Sequence, residues 1–250
     1  MPALAAAAGI ALTVALGNWQ TRRAEAKLAL QAQVNTAARA TPVDVGADAL
    51  RSVPPAELVW RHVRLTGVWQ PERVIYLDNR NHGGRAGLYV LMPLLVGNPA
   101  VPVLVNRGWL AHDPASRLRI PAYQTPGGTV ELTGVVLEGE GRLLELGQAA
   151  PPALAALWQN LDLDAYRRVS GLAVPALVVR QDAPGAGRAP TDGLARDWPE
   201  AGSALDEQIG KHRGYAVQWY GLALTLVALV VLFEVRKRRR PVPAISETDS

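Results

Sequence analysis

The sequence predicts an α+β membrane protein, with two transmembrane helices flanking a mainly antiparallel β extracytoplasmic domain. That domain is expected as a small sheet or open barrel carrying one or two helices. Three observations predict this. An apolar run near the C-terminus is long enough to cross a bilayer and is followed at once by a basic cluster. The first 20 residues carry no charge. Between them lie about six short runs rich in Val, Leu and Tyr, each bounded by turn residues.

The C-terminal run is the firmest element. From Tyr215 to Phe233 it reads YAVQWYGLALTLVALVVLF, 19 residues without a charged side chain. At about 1.5 Å per residue such a helix spans the roughly 30 Å of hydrocarbon in a bilayer. Arg236, Lys237, Arg238, Arg239 and Arg240 follow it. A basic cluster beside a span places that end in the cytoplasm. Trp219 and Tyr220 lie near the other end, at the depth amphipathic rings prefer. The predicted span is 213–235 and the predicted cytoplasmic tail is 236–250.

Residues 1–20 are read as a retained first span. A cleaved signal peptide would want a basic start, which is missing, and Trp19 suits an interface. The run is short and begins at the first residue, so a few upstream residues are expected to be absent from the start. With two spans and a cytoplasmic tail, both termini are cytoplasmic. The region 21–212 then faces the periplasm of a bacterial inner membrane. Within it, 21–40 is rich in Ala, Leu, Gln, Arg and Glu without Gly or Pro, and reads as a helical extension ended by Thr41-Pro42.

Strands are expected at Trp60–Trp69, Arg73–Leu77, Gly87–Val96, Val101–Leu110, Thr129–Leu137 and Ala176–Gln181. Asn81-His82-Gly83-Gly84 and Gly97-Asn98-Pro99 read as hairpin loops. Pro93 suggests an edge or a bulge. Leu154, Leu157, Trp158, Leu161, Tyr166 and Val169 approximate a helical face, with Asp162–Val169 as one helix and Asp164 near its start. Residues 182–210, dominated by Pro, Gly, Ala and Asp, read as a loosely structured linker to the second span. No internal repeat is visible.

Composition removes several functions. The chain has 26 Lys and Arg against 22 Asp and Glu, and a pI near 9.7. Outside the tail cluster the balance is ordinary: 21 basic against 19 acidic residues between Asn18 and Gly214. That argues against a nucleic-acid partner. Cysteine is absent, which excludes disulfides, thiolate metal sites and cysteine nucleophiles. There is no P-loop, HExxH, GxSxG or dinucleotide fingerprint, and Gly83-Gly84-x-x-Gly87 is better explained as a turn. His62, His82, His112 and His212 show no metal-ligand spacing, so no metal site is expected. Asp162/Asp164 and Glu138/Glu140 read as solvated pairs rather than acid–base groups. For Arg107-Gly108-Trp109 the preferred reading is packing: Trp109 in the core, Gly108 at a bulge and Arg107 on an acid. The other reading is a cation and an indole displayed at a rim.

His212 sits just outside the second span. One reading is an interfacial histidine bonded to lipid headgroups or a loop carbonyl. The other is an axial ligand for a membrane-delivered haem, with Tyr215 and Trp219 offering flat apolar surface one and two turns away.

Four stretches, in order between the two spans, resemble the Surfeit-locus protein 1 family of cytochrome c oxidase assembly factors. They are Leu16-Gly17-Asn18-Trp19-Gln20 with Arg23 and Lys27; Arg64 to Trp69 continuing through Tyr76 and Arg80 to Gly87; Val103-Leu104-Val105-Asn106-Arg107-Gly108-Trp109; and His212-x-x-Tyr215-Ala216-x-Gln218-Trp219. The resemblance runs almost end to end. It implies a two-span, non-enzymatic assembly factor for a haem-copper, aa3-type oxidase, assisting haem a delivery to subunit I or its stabilisation there. It implies His212 as the haem contact supported by Tyr215 and Trp219, with subunit I, haem a synthase and membrane lipid as partners. The missing basic start departs from the family pattern. The alternative is a membrane-tethered periplasmic enzyme or sensor domain unrelated to haem. A sensor would want a cytoplasmic output module, for which the predicted tail is too short, and an enzyme a convergent polar pocket.

Overall fold

The computed structural model describes residues 2–141, 152–184, 191–198 and 205–238. The chain divides into two compact units, Met1–Gln33 with Gly202–Ser250, and Val34–Ala201. The basic tail beyond Arg238 lies outside the described residues, as do parts of the expected 182–210 linker.

The first unit is made of two long helices, α1 (Pro2–Arg39) and α5 (Asp206–Arg238), of which α1 runs on into the second unit. Helix α1 passes through Gln20 without a break, so the charge-free start and the helical extension form one rod. It stops at Arg39, just before Thr41-Pro42. Helix α5 starts at Asp206, well before the apolar run, and carries Asp206 and Glu207 in its first turn, where carboxylates favour a helix N-terminus. Among the described residues, α5 is the helix long and apolar enough to cross a membrane by length and composition.

The two rods run antiparallel. Gly9 faces Leu226, Asn18 bonds Tyr220, Lys27 bonds Gln208 and Gln31 bonds Asp206. Burial follows a period of three and four on both. On α5 the covered positions are Ile209, His212, Ala216, Trp219, Ala223 and Val227's neighbour Leu226. On α1 they include Thr13, Gly17, Gln20, Ala24 and Lys27. This alternation is the spacing of a helix–helix seam. The rest of the apolar surface is open: Leu4, Leu12, Val217, Leu224 and Phe233 are all more than half exposed.

The second unit is α+β. Its strands are β1 (Val43–Asp44), β2 (His62–Trp69), β3 (Ile75–His82), β4 (Arg85–Val96), β5 (Val101–Ala111), β6 (Thr129–Leu137), β7 (Leu157–Trp158) and β8 (Val178–Gln181). They form one sheet in the order β1-β2-β6-β8-β5-β4-β3-β7. Strand β2 also pairs with β4, which closes β2, β6, β8, β5 and β4 into a five-stranded barrel-like ring. The ring is antiparallel except at β5–β8. The six expected strands are all present, β3 extending further than the sequence suggests.

Alternation decides what faces inward. Val90, Met92 and Leu94 on β4, Val103 and Val105 on β5, and Val63 and Leu65 on β2 fill the interior. Their neighbours Leu91 and Leu104 point outward and form a second core with Ile75, Leu77, Val178, Tyr166 and Trp158. Helix α4 (Leu163–Ser170) covers this outer face. Asp162 caps it, its Oδ1 accepting from the Asp164 and Ala165 N–H groups at 2.9 Å. Tyr166 is fully buried and its hydroxyl donates to the Arg73 carbonyl at 2.8 Å. Burying a side chain of that size contributes about 1.5–3 kcal/mol.

Four expectations are corrected. The helical face drawn through Leu154–Leu161 is not helical: Ala155 has a φ of +52° and Leu157–Trp158 is strand β7, its backbone used in parallel pairing with β3. Among its described residues the domain has three short α-helices rather than one or two, because α2 (Ala47–Ser52) and α3 (Pro55–Leu58) are too short to show a helical period. Pro93 is on neither an edge nor a bulge. It lies where β4 changes partner, from β3 at Leu91 to β2 at Leu94, so the missing N–H is not needed. Finally, residues 191–198 are not loose: Leu194 and Arg196 are buried, and Ala195 bridges to Trp109 on β5.

Candidate functional site

The sequence-predicted site lies in the first unit, on α5. His212 and Trp219 occupy seam positions facing α1 and are half-buried, while Tyr215, 52% exposed, projects beside the seam. The three sit at i, i+3 and i+7 and so share one broad helix face. What the sequence could not show is the partner across the seam. The Nδ1 atom of His212 lies 2.6 Å from Oε1 of Gln20 on α1. An amide oxygen only accepts, so in a neutral ring this contact would place the proton on Nδ1 and the lone pair on Nε2. Gln20 belongs to the Leu16–Gln20 stretch, and nothing local in that stretch points to His212.

A second polar contact lies just over two turns further along α5. The Tyr220 hydroxyl donates to Asn18 Oδ1 at 2.8 Å and lies 3.3 Å from Thr21 Oγ1. Here the rods approach closely. A Cβ added at Gly17 would lie 2.6 Å from the Tyr220 ring, so a larger residue there would have to displace that ring. Trp19 points away, half exposed, with the Arg23 guanidinium 5.7 Å from its ring centre.

In the second unit the chemistry-bearing residues are engaged in structure. Arg107 is 1% exposed. Its guanidinium meets Asp192 at 3.2 Å, donates to Thr125 Oγ1 and the Gln124 carbonyl, and lies 4.8 Å from the Trp69 ring centre. Arg196 binds the same Asp192 carboxylate and donates to the Arg107 carbonyl. Burial pulls the Arg107 guanidinium below its ordinary value while Asp192 opposes the shift. Gly108 has a φ of +149°, and a Cβ there would lie 2.7 Å from that of Leu194. The register shifts at this point between β4 and β5, and Trp109 is buried with its indole donating to the Arg80 carbonyl at 2.8 Å. Arg107-Gly108-Trp109 is therefore a packing motif, as preferred from the sequence.

Each histidine of this unit lies against an aspartate distant from it in the sequence. His62 lies 2.6 Å from Asp182, His82 2.9 Å from Asp197 and His112 2.8 Å from Asp78. Among the described residues no three potential ligands gather as a metal site. Glu140 departs from the solvated reading. It accepts from Asn106 Nδ2 at 2.8 Å, and burial raises its carboxyl above the ordinary range despite Asn106, Arg180 and Arg80, which act the other way.

These features define a class: a small α+β protein with a barrel-like ring, linked in sequence to a pair of long helices of which one has the length and apolarity of a membrane span. Comparison narrows the class. A model of the SURF1 family matches residues 7–224. Surfeit locus protein 1 of Rattus norvegicus is 27% identical over 224 residues, covering 83% of this chain and 67% of that protein. The Homo sapiens protein of the same name is 28% identical over 229 residues, with coverage of 83% and 69%. A SURF1-like protein of Rickettsia conorii is 25% identical over 227 residues, with coverage of 90% and 88%. The chain belongs to the SURF1 family.

Proposed function

We propose that this protein is a membrane-embedded, non-enzymatic assembly factor for a haem-copper oxidase of the aa3 type, presenting or steadying haem a for subunit I. Family membership supports the assembly role through the four-motif resemblance described above. The observation that carries the haem reading is the pairing of His212 with Gln20. It leaves Nε2 with a lone pair and no hydrogen-bond partner among the described residues, at the end of an apolar run. The residues fit a porphyrin cargo. His212 would hold the iron, and Tyr215 and Trp219 would offer apolar ring surface to the macrocycle. Haem a synthase and subunit I are the protein partners this role requires.

Two spans are part of the proposal. The antiparallel register sets the apolar run Tyr215–Phe233 beside the charge-free start of α1, with Gly9 against Leu226 and Asn18 against Tyr220. Both stretches then share one layer, and their exposed Leu and Val side chains meet lipid rather than water. Small residues at the contact suit helix association in a bilayer. The basic cluster keeps both termini cytoplasmic, and the β-rich unit lies in the periplasm of the inner membrane.

The test is the absorption spectrum of the detergent-purified protein coexpressed with the haem a synthesis enzymes. A haem a band that disappears in His212→Ala, with lower haem a content in the oxidase of that strain, is the expected result. An unchanged band and a normal oxidase would remove His212 from the mechanism. A second test locates the β-rich unit. With Leu118→Cys in this cysteine-free chain, an impermeant maleimide should label spheroplasts from outside.

A further inference from the structure

We infer that Gln20 is a positioning residue for His212, selecting the Nδ1–H tautomer and the ring orientation that leave Nε2 as a ligand. This rests on the reading of His212 as the iron contact, but the geometry behind it is independent of haem. Three polar side chains of α1 fall at this level: Asn18, Gln20 and Thr21. Asn18 and Thr21 both meet the Tyr220 hydroxyl, at 2.8 and 3.3 Å. Gln20 is left to reach the imidazole, at 2.6 Å. Both partners sit in the seam, half-buried.

The consequence is chemical. A neutral imidazole has one N–H and one lone pair, and the hydrogen bond made by one nitrogen decides the role of the other. An amide oxygen at Nδ1 assigns the proton there. It also raises the basicity of Nε2, as an outer partner does for a ligating histidine. Without Gln20 the ring could turn, or carry its proton on Nε2 and offer no lone pair.

Two measurements on the full-length protein in detergent test this. The first uses the haem-free protein and the ¹⁵N signals of the His212 ring. The Nδ1–H tautomer is expected in the native protein, and a mixture or the Nε2–H tautomer in Gln20→Leu. An Nε2–H tautomer in the native protein, or a spectrum that Gln20→Leu leaves unchanged, overturns the inference. The second uses haem a bound by coexpression, with thermal melts to confirm that variants fold. Gln20→Leu should weaken binding by about 10–100-fold, the usual effect of losing an outer partner. Gln20→Glu, which keeps an acceptor oxygen and adds charge, should restore binding and shift the haem reduction potential to more negative values. Native affinity and potential in a folded Gln20→Leu, with haem lost in His212→Ala, would overturn the role of Gln20 and leave that of His212. Haem retained in His212→Ala would instead overturn the site itself, while the ¹⁵N result would still decide the tautomer.

Discussion

The barrel-like unit and the helix pair treat the same kinds of side chain in opposite ways. In the barrel unit, Leu88, Val90, Met92, Val103 and Val105 are fully covered, and Arg80, Arg107 and Arg196 are buried with them. In the helix pair, Leu224, Leu229, Val231 and Phe233 stand in the open, while the covered positions hold Thr13, Gly17, Ala216 and Ala223. A water-soluble unit gains stability by hiding apolar surface. A helix pair in lipid gains nothing that way, and associates instead through close approach and polar contacts. If the pair lies in lipid, as proposed, exposure has a different meaning in each unit, and four tests can break or sharpen the comparison.

The largest effect is expected at Asp192. Its carboxylate lies between the buried guanidinium groups of Arg107 and Arg196. Asp192→Ala leaves both without their counter-charge and should cost about 3–5 kcal/mol. Denaturant unfolding followed by tryptophan fluorescence would read this, and the α-helical signal of the long rods should outlast the loss of the barrel. A simultaneous collapse of both signals would contradict independent stabilisation.

The next contrast places one charge on two exposed leucines. Leu224, on α5, and Leu118, in the barrel unit, are 71% and 82% exposed. If α5 meets lipid, Leu224→Arg should cost about 2.5–3.5 kcal/mol of membrane insertion. Leu118→Arg should stay within about 0.5 kcal/mol of the native stability. Equal behaviour in a membrane-insertion assay would show that the exposed face of α5 meets water.

A bulky side chain at the contact should separate the rods. Gly17→Ile drives side-chain atoms into the Tyr220 ring and should weaken the pair by about 1–3 kcal/mol. Cross-linking between Gly9→Cys and Leu226→Cys should fall several-fold. The control Leu12→Ile, at a position 60% exposed, should leave it unchanged.

The smallest effect concerns Glu140, and its sign is set by burial. The folded protein holds the Glu140 proton more tightly than the unfolded chain, since the folded value is raised. Its contribution to stability is therefore full below the ordinary glutamate value, near pH 4.3, and is lost as pH rises through the raised value. Glu140→Gln should melt higher than the native protein at pH 7–8, and the gap should narrow toward pH 4–5. A gap independent of pH would show that the carboxylate is not desolvated.

Much of the ring was legible in the residues. The strands β2, β4, β5 and β6 show alternation or long apolar runs between turn residues, and these are local signals. Strand β7 was not, because Leu157–Trp158 pairs with β3 through its backbone while its side chains mimic a helical face. The packing role of Arg107 could be preferred from its neighbours. Its partner Asp192 lies 85 positions away, in a stretch whose composition reads as a loosely structured linker. The candidate site divides in the same way. His212, Tyr215 and Trp219 stand out because an imidazole and two rings precede or open an uncharged run. Gln20, 192 positions earlier, carries no mark of its role.

From the residues alone came the apolar rods, the basic end, the run of strands and the histidine at the margin of α5. Each is written in a stretch of about 20 residues or fewer, where period and charge are read directly. Closure of the ring through β2 and β4, the burial of two arginines on one aspartate, and the meeting of His212 with Gln20 were settled only on folding. They arise from contacts between residues far apart in the chain. Neither residue of such a pair shows in its own neighbourhood what it will meet.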